Sequence, residues 1–357
     1  MTQPNPAMLD TAARLTAGSL PPRLDSVEQV EELLSRPSQA LVDDLARLEG
    51  GLIILGVGGK VGPGLARLAR RAAPQKRIVG VARFSDPESR RKLEDWGVET
   101  IACDLLDREA VERLPRLPNV IFMAGRKFGT TGDEAYTWAM NALCPAICAQ
   151  AFVGSRIVAF STLCIYPLAR VDGPGSREGD PIEPLGEYSN SCVARERVIE
   201  FHSRRHGTAG RLVRLVYAID MRYGILSELA TAVVNGTPID LTTGHANIIW
   251  QGDAASQILR TLLHCTSPAS PLNIGSPSNV SIRHLAIQLG RRMGRSPVFV
   301  NTEAPTAWVT DCSRAAALFG EPLVGLDRML DWTADWVGRK LPVYGKPTRY
   351  RVRDGRF

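Results

Sequence analysis

No apolar run in the 357 residues approaches the roughly 20 needed to cross a bilayer. Met1 to Pro22 has no basic segment followed by an apolar one, so no secretory signal is expected and the cytoplasm is the expected location. Histidine is scarce, with five residues, and they do not cluster with the seven cysteines. The cysteines (103, 144, 148, 164, 192, 265 and 312) form no C-x-x-C pair, which predicts reduced thiols and no metal site. Cys144 and Cys148, four apart, suit core packing on one helix face. The net charge of +6 comes from dispersed arginines such as Arg67, Arg70, Arg71, Arg90, Arg91, Arg204 and Arg205. There is no lysine-rich tail and no basic stripe interleaved with aromatics. Nucleic acid and membrane are therefore not expected partners, whereas an anionic cofactor or substrate is. Internal repeats and low-complexity segments are also missing.

What is present begins at Leu52-Ile53-Ile54-Leu55, an apolar run that reads as a buried strand, followed by a turn with Gly56, Gly59 and Gly62. Leu65, Leu68 and Ala69 then carry helical spacing, with Arg67, Arg70 and Arg71 outward. Strand, glycine turn and helix in that order let a pyrophosphate approach the backbone and face the positive end of the helix. A dinucleotide-binding turn is the expectation.

Short β-branched runs recur at 78–82, 120–123, 157–160 and 212–216, with helical stretches between them at 90–96, 135–152 and 192–205. This alternation predicts an α/β fold: a Rossmann-like, doubly wound parallel sheet with right-handed crossovers. A smaller C-terminal α/β part for substrate follows, with helices at 226–234 and 254–264 and strands at 239–242 and 248–250. The expected divisions are a helical extension over 1–50 (helices 27–34 and 39–48, broken by Pro37), the dinucleotide domain over 51–218, the substrate part over 219–345, and a basic surface arm over 346–357. Residues 171–187, rich in Pro, Gly and acid, read as an ordered loop over the crevice.

Further signals fall in one order: Asp104-Leu105, Ala124-Gly125, Asn141, Ser161-Thr162, Tyr166-Pro167, Tyr188, Ile248-Ile249-Trp250-Gln251-Gly252-Asp253, Leu272-Asn273-Ile274-Gly275, Leu318-Phe319-Gly320-Glu321-Pro322 and Asp331-Trp332…Trp336. With the G-x-x-G-x-x-G turn, this resembles the extended short-chain dehydrogenase/reductase family, the NAD(P)-dependent sugar epimerases and dehydratases. The resemblance covers nearly everything after residue 50. It implies a cofactor site at Gly56, Gly59, Lys60, Val61, Gly62, Arg83, Asp104, Leu105, Ala124, Gly125 and Tyr188, and a homodimer built from the helices at 135–152 and 192–205.

A carboxylate after the second strand would accept the ribose hydroxyls of NAD, whereas an arginine pairs with the 2′-phosphate of NADP. Here Ala82 is followed by Arg83, so NADP is expected, with NAD the alternative; Arg83 could instead stack on the adenine. The resemblance makes Thr162 the residue that orients the substrate oxygen and Tyr188 the general acid/base. The family's lysine four residues beyond the tyrosine is replaced by Cys192, and a thiol supplies no fixed positive charge. Arg195, two turns along from Tyr188, is either a substitute cation or a solvated arginine paired with Glu196 or Glu200. Leu163-Cys164 stand where the dehydratases carry an Asp-Glu pair, which disfavours dehydration by that route.

Arg126 and Lys127 follow the fourth strand, either to take an anionic group of the substrate or as a solvent-facing loop pair. Tyr217 is expected to contact the substrate beside them, and Tyr217, Asp220 and Asn247 all depart from family positions tied to nucleotide-sugar binding. The expected activity is an NAD(P)-dependent oxidoreductase or epimerase acting on a hydroxyl or keto carbon of a sugar, sugar acid or related polyol. The alternative is a catalytically silent NADP-binding sensor or scaffold.

Overall fold

A computed structural model describes residues 14–357 of the chain; the front of the stretch read for a secretory signal lies outside the described residues. Helices α1 (Val27–Leu34) and α2 (Gln39–Arg47) flank Pro37, and each is N-capped by a serine. Ser26 accepts from the Gln29 N–H and Ser38 from the Leu41 N–H, which supplies otherwise orphaned donors. The α1 face of Val30, Leu33 and Leu34 joins the C-terminal core, while Leu41, Leu45 and Leu48 pack on the sheet-side core. The extension thus clasps both halves.

The chain then alternates: β1 (Leu52–Leu55), α3 (Gly62–Ala72), β2 (Ile78–Ala82), α4 (Pro87–Asp95), β3 (Glu99–Ala102), α5 (Arg108–Glu112) and β4 (Asn119–Phe122). After β4 come α6 (Glu134–Trp138), α7 (Cys144–Ala151), β5 (Arg156–Thr162), the short β6 (Ala169–Arg170), α8 (Gly186–His206) and β7 (Gly210–Leu215). Six of these strands and the later β11 (Ser270–Ile274) form one sheet in the order β11-β7-β5-β4-β1-β2-β3. Every pairing in it is parallel.

Alternate side chains explain why these strands read as unbroken apolar runs. Leu52, Ile54, Ile121, Val158 and Val213 enter the core on one face. Ile53, Leu55, Val120, Phe122, Ile157 and Leu212 enter the core on the other. Each such side chain contributes about 1.5–3 kcal/mol on burial. The strand order reverses between β1 and β4, which opens a crevice at their carboxyl ends.

Beyond β7 lie β8 (Tyr217–Ile219), α9 (Ile225–Asn235), β9 (Ile239–Asp240), β10 (His245–Trp250), α10 (Gln251–Arg260), β12 (Asn279–Ser281), α11 (Ile282–Met293), β13 (Phe299–Val300), β14 (Thr306–Ala307), α12 (Ser313–Phe319) and α13 (Leu326–Gly338). β10 pairs parallel with β8 and antiparallel with β12, while β13 and β14 pair with β9 and β6. Trp250, Trp332 and Trp336 centre this smaller core, the first two with rings 5.3 Å apart.

Two expectations change. The helix over 135–152 is divided: a π-helical turn, Ala139–Leu143, separates α6 from α7, and the side chain of Asn141 in that turn is tied to the backbone of Arg126. The segment 346–357 is not a surface arm, because Thr348, Tyr350 and Phe357 are buried. Its five basic side chains hide a sparse apolar pattern that packs back onto the fold. All seven cysteines are unpaired. Among the described residues no helix is long and apolar enough to cross a membrane, and no His/Cys/Asp/Glu cluster is placed to hold a metal.

Candidate active site

β1 runs into the glycine turn, and the three glycines there answer different needs. Gly56 has φ +92°, and a Cβ on it would sit 2.5 Å from the Ala124 nitrogen. A Cβ on Gly62 would sit 2.1 Å from the Val57 oxygen, inside any permitted contact. Those two are demanded by packing. At Gly59 a Cβ would meet only the Gly56 oxygen, at 3.7 Å, so the fold itself does not require glycine there. The open side of the turn faces a cavity of about 370 Å³ ahead of α3, an arrangement suited to a phosphate-bearing ligand.

Gly56, Gly59, Arg83, Asp104, Leu105, Ala124 and Gly125 line this cavity, whereas Gly62 is buried in the first turn of α3. Arg83 is exposed and donates to the Tyr136 hydroxyl at 3.1 Å. Asp86 lies in the same cavity, but its carboxylate accepts from the Glu88 and Ser89 N–H groups at the start of α4.

Met123 and Gly125, at the end of β4, also line a second cavity of about 290 Å³. This one brings together Lys60, Val61, Arg126, Lys127, Thr162, Tyr188, Arg195 and Tyr217. β5 delivers Thr162 at its carboxyl end, and α8 delivers Tyr188 in its first turn. The Thr162 oxygen accepts from the Cys164 N–H at 3.2 Å, and its hydroxyl lies on the side of the Tyr188 phenol where it favours the charged form. Burial pushes the Tyr188 phenol well above its ordinary value, and Cys192 and Cys164 add to the rise. Arg195 and Thr162 act in the opposite direction. Cys192 is fully buried, and burial lifts its thiol to about 11, so it is neutral at physiological pH.

Arg195 is buried and donates to the Phe160 carbonyl at 2.9 Å and the Asn141 Oδ1 at 2.5 Å. Glu196 pairs with Arg214, and Glu200 pairs with Arg197 and Arg204. Among the described residues no carboxylate forms an ion pair with Arg195, so the solvated-pair alternative does not hold.

Arg126 and Lys127 separate. The Arg126 guanidinium turns back on its own loop, bonding the Gly129 carbonyl at 2.7 Å and Asp133 and lying 5.0 Å from the Tyr136 ring. The Lys127 ammonium points inward, 5.8 Å from the rings of Tyr188 and Tyr217 and 4.6 Å from that of Phe357. Loss of hydration holds its pKa below the usual lysine value. Lys60 lies over the Tyr223 ring, 2.8 Å from the centroid. Partial burial there, with the Lys346 charge and then Lys127 nearby, brings its pKa down to about 8 although Asp220 opposes the fall.

Beneath the cavity floor the Arg214 guanidinium grips Glu196 through two bonds of 3.0 and 2.8 Å. Ser161 donates to the same carboxylate at 2.6 Å, and Arg214 donates to the Tyr166 hydroxyl, which donates to Asn273. This buried network fixes the end of β5 against α8, and so sets Thr162 relative to Tyr188. Tyr223, which lines the cavity, and Phe357, which packs against its Tyr188 and Lys127, were not visible as site residues in the sequence; each is brought there only by the tertiary fold.

No protein-family model matches the chain. No curated protein sequence matches it either. Solved structures do. MoeE5 in complex with UDP-glucuronic acid and NAD is 20% identical, with a TM-score of 0.67, covering 82% of this chain and 100% of that one. UDP-glucuronic acid 4-epimerase from Bacillus cereus, in complex with UDP-glucuronic acid and NAD, is 16% identical with a TM-score of 0.68, over 81% and 99%. UDP-glucose 4-epimerase from Brucella ovis, in complex with NAD, is 18% identical with a TM-score of 0.65, over 81% and 99%. At these identities the likeness establishes architecture: the chain has the Rossmann-like α/β fold of these three proteins.

Proposed function

We propose that the chain is an NAD(P)-dependent oxidoreductase or epimerase of the extended short-chain dehydrogenase/reductase type, acting on a hydroxyl or keto carbon of an anionic sugar derivative, sugar acid or related polyol. The observation that carries this reading is the meeting of Thr162 and Tyr188 in a cavity that shares Met123 and Gly125 with the wall of the glycine-turn cavity. The open side at Gly59 and the helix end behind it fit a dinucleotide pyrophosphate. Arg83 beyond a strand that ends without a carboxylate favours NADP over NAD, and Asp104 and Leu105 flank the adenine end. The reading assigns residues 51–218 to the cofactor and 219–345 mainly to the substrate.

When bound, the nicotinamide supplies a hydride acceptor or donor. The protein's part is proton handling and placement. Tyr188 moves the hydroxyl proton, Thr162 orients the same oxygen, and the Arg195 charge offsets part of the cost of the phenolate. Lys127 and Lys60 hold the anionic group of the substrate. The exposed Leu143 and Phe201 on the two helical segments of the resemblance suit a homodimer, and seven unpaired cysteines suit the cytoplasm.

A second reading, a silent NADP-binding sensor, is favoured by the neutral Cys192 in place of a lysine. Nucleotide titration of the wild type and Tyr188→Phe, followed by turnover on keto and polyol substrates, separates the two. Binding kept with turnover lost supports the enzyme; tight binding with no turnover by the wild type supports the sensor; no binding overturns both.

A further inference from the structure

The segment 346–357 lies between the reaction cavity and the smaller lobe. Thr348 stands at the divide. Its N–H donates to Glu228, which lines an outer cavity of about 350 Å³ between α9 and the segment. Its carbonyl accepts from Lys127, which lines the inner cavity, at 3.5 Å. Tyr350 is then buried in the core of the smaller lobe, and the Arg351 carbonyl accepts from the Thr243 hydroxyl. Arg353 grips Thr306 through its carbonyl at 2.6 Å and its hydroxyl at 2.9 Å.

The segment next crosses the start of α8 at a backbone-to-backbone approach. A Cβ on Gly355 would sit 2.1 Å from the Leu185 oxygen, and one on Gly186 would sit 2.3 Å from the Gly355 oxygen. Both glycines have φ above +70°, so neither position accepts a side chain without strain. Phe357 ends the path edge-on to Tyr188, with ring centroids 5.3 Å apart, and 5.9 Å from Trp308. It is 5% exposed.

We propose that residues 346–357 roof the reaction cavity and restrict it to a small anionic hydroxy or keto compound, a carboxylate or a phosphate ester, that carries no nucleotide. The inference rests on the reading of Tyr188 and Thr162 as the reacting groups. The inner cavity, about 290 Å³, falls just below the range for ligand sites, about 300–1,000 Å³, and the nicotinamide end of the cofactor must share it. Beyond Lys127 and Tyr188 the distal part of a longer substrate would meet Thr348 and Phe357, which pack directly against those two side chains. The charge pattern selects an anion. Among the described residues no carboxylate forms an ion pair with Lys60 or Lys127. The nearest acids are occupied, Glu228 by the Thr348 N–H and Asp220 by Arg222.

The test needs no cofactor. Saturation-transfer NMR on the full chain is run with glucuronate, gluconate, glycerate, glucose 6-phosphate, the twelve-carbon acid lactobionate and UDP-glucuronic acid. At least one of the first four binds, and Lys127→Met weakens that binding at least tenfold. A carboxylate-only or phosphate-only response identifies the anionic group. UDP-glucuronic acid and lactobionate do not bind the full chain. Phe357→Ala, confirmed as folded by its thermal transition, gains lactobionate binding, and a chain ending at residue 345 gains UDP-glucuronic acid binding if it folds. Submillimolar binding of UDP-glucuronic acid by the full chain, or no binding by any small anion, overturns the proposal. Failure of the dinucleotide to bind in a separate titration strikes the proposed function instead.

Discussion

Arg214 and Glu196 form a two-pronged ion pair, each side chain no more than 3% exposed, directly beneath the residues that would act on substrate. Removing one partner leaves a buried charge without compensation. Arg214→Leu and Glu196→Gln should therefore each cost about 3–5 kcal/mol in chemical denaturation. Equal, small effects from both would show that the pair does not hold β5 to α8.

Tyr188→Phe should lower turnover about a hundredfold to ten-thousandfold while the nucleotide still binds, as expected for loss of a proton-transfer group. Arg195→Met should raise the pH at which the Tyr188 phenol titrates, because Arg195 favours the phenolate. Ultraviolet titration against Tyr188→Phe as the blank isolates that phenol.

Lys60 has its pKa lowered to about 8, so its ammonium charge is present below that pH and lost above it. Affinity for an anionic substrate should fall as pH rises through 8, by roughly tenfold if one charged contact of about 1.4 kcal/mol is lost. In Lys60→Met the affinity should be weak at both ends and flat between pH 7 and 9. An unchanged slope would remove Lys60 from the site.

Asp253 is buried, and burial lifts its carboxyl to about 6 against the N–H bonds from Val324 and Leu323 that oppose the rise. Its folded-state pKa thus exceeds its unfolded value of about 3.9. Between the two, the unfolded chain sheds its proton first, so stability falls as pH rises from 4 to 6 and then levels. Asp253→Asn keeps an oxygen for the Val324 N–H and should stabilise the fold by on the order of 2 kcal/mol at pH 7.5 and much less at pH 4.5. Urea melts at both pH values check it.

Much of this was legible in the chain. β1 and its glycine turn showed because strands buried on both faces leave unbroken apolar runs, and the order of signals along the chain singled out Thr162 and Tyr188, which the fold brings into one cavity. Arg195 was left open because the competing partner of Glu196, Arg214, lies on another element. Arg126 and Lys127 are adjacent, and only the loop's own hydrogen bonds decide which points inward. Phe357 carried no signal, since a single aromatic in a basic stretch has no periodicity, and its contact with Tyr188 is entirely tertiary.

Gly59 and Gly62 give opposite expectations for one substitution. Gly62→Ala drives a Cβ into the Val57 carbonyl and should cost about 1–3 kcal/mol in stability. Gly59→Ala should leave stability within about 0.5 kcal/mol, because the fold offers its Cβ room. Its dinucleotide affinity should nevertheless drop at least tenfold by calorimetry.

Fluorescence titration of the full chain with NADPH and NADH, repeated on Arg83→Ser, tests the central claim most directly. The account predicts saturable binding of both, tighter for NADPH, with the preference lost in Arg83→Ser while NADH affinity is retained. Absence of binding by either nucleotide to the folded wild type would contradict it.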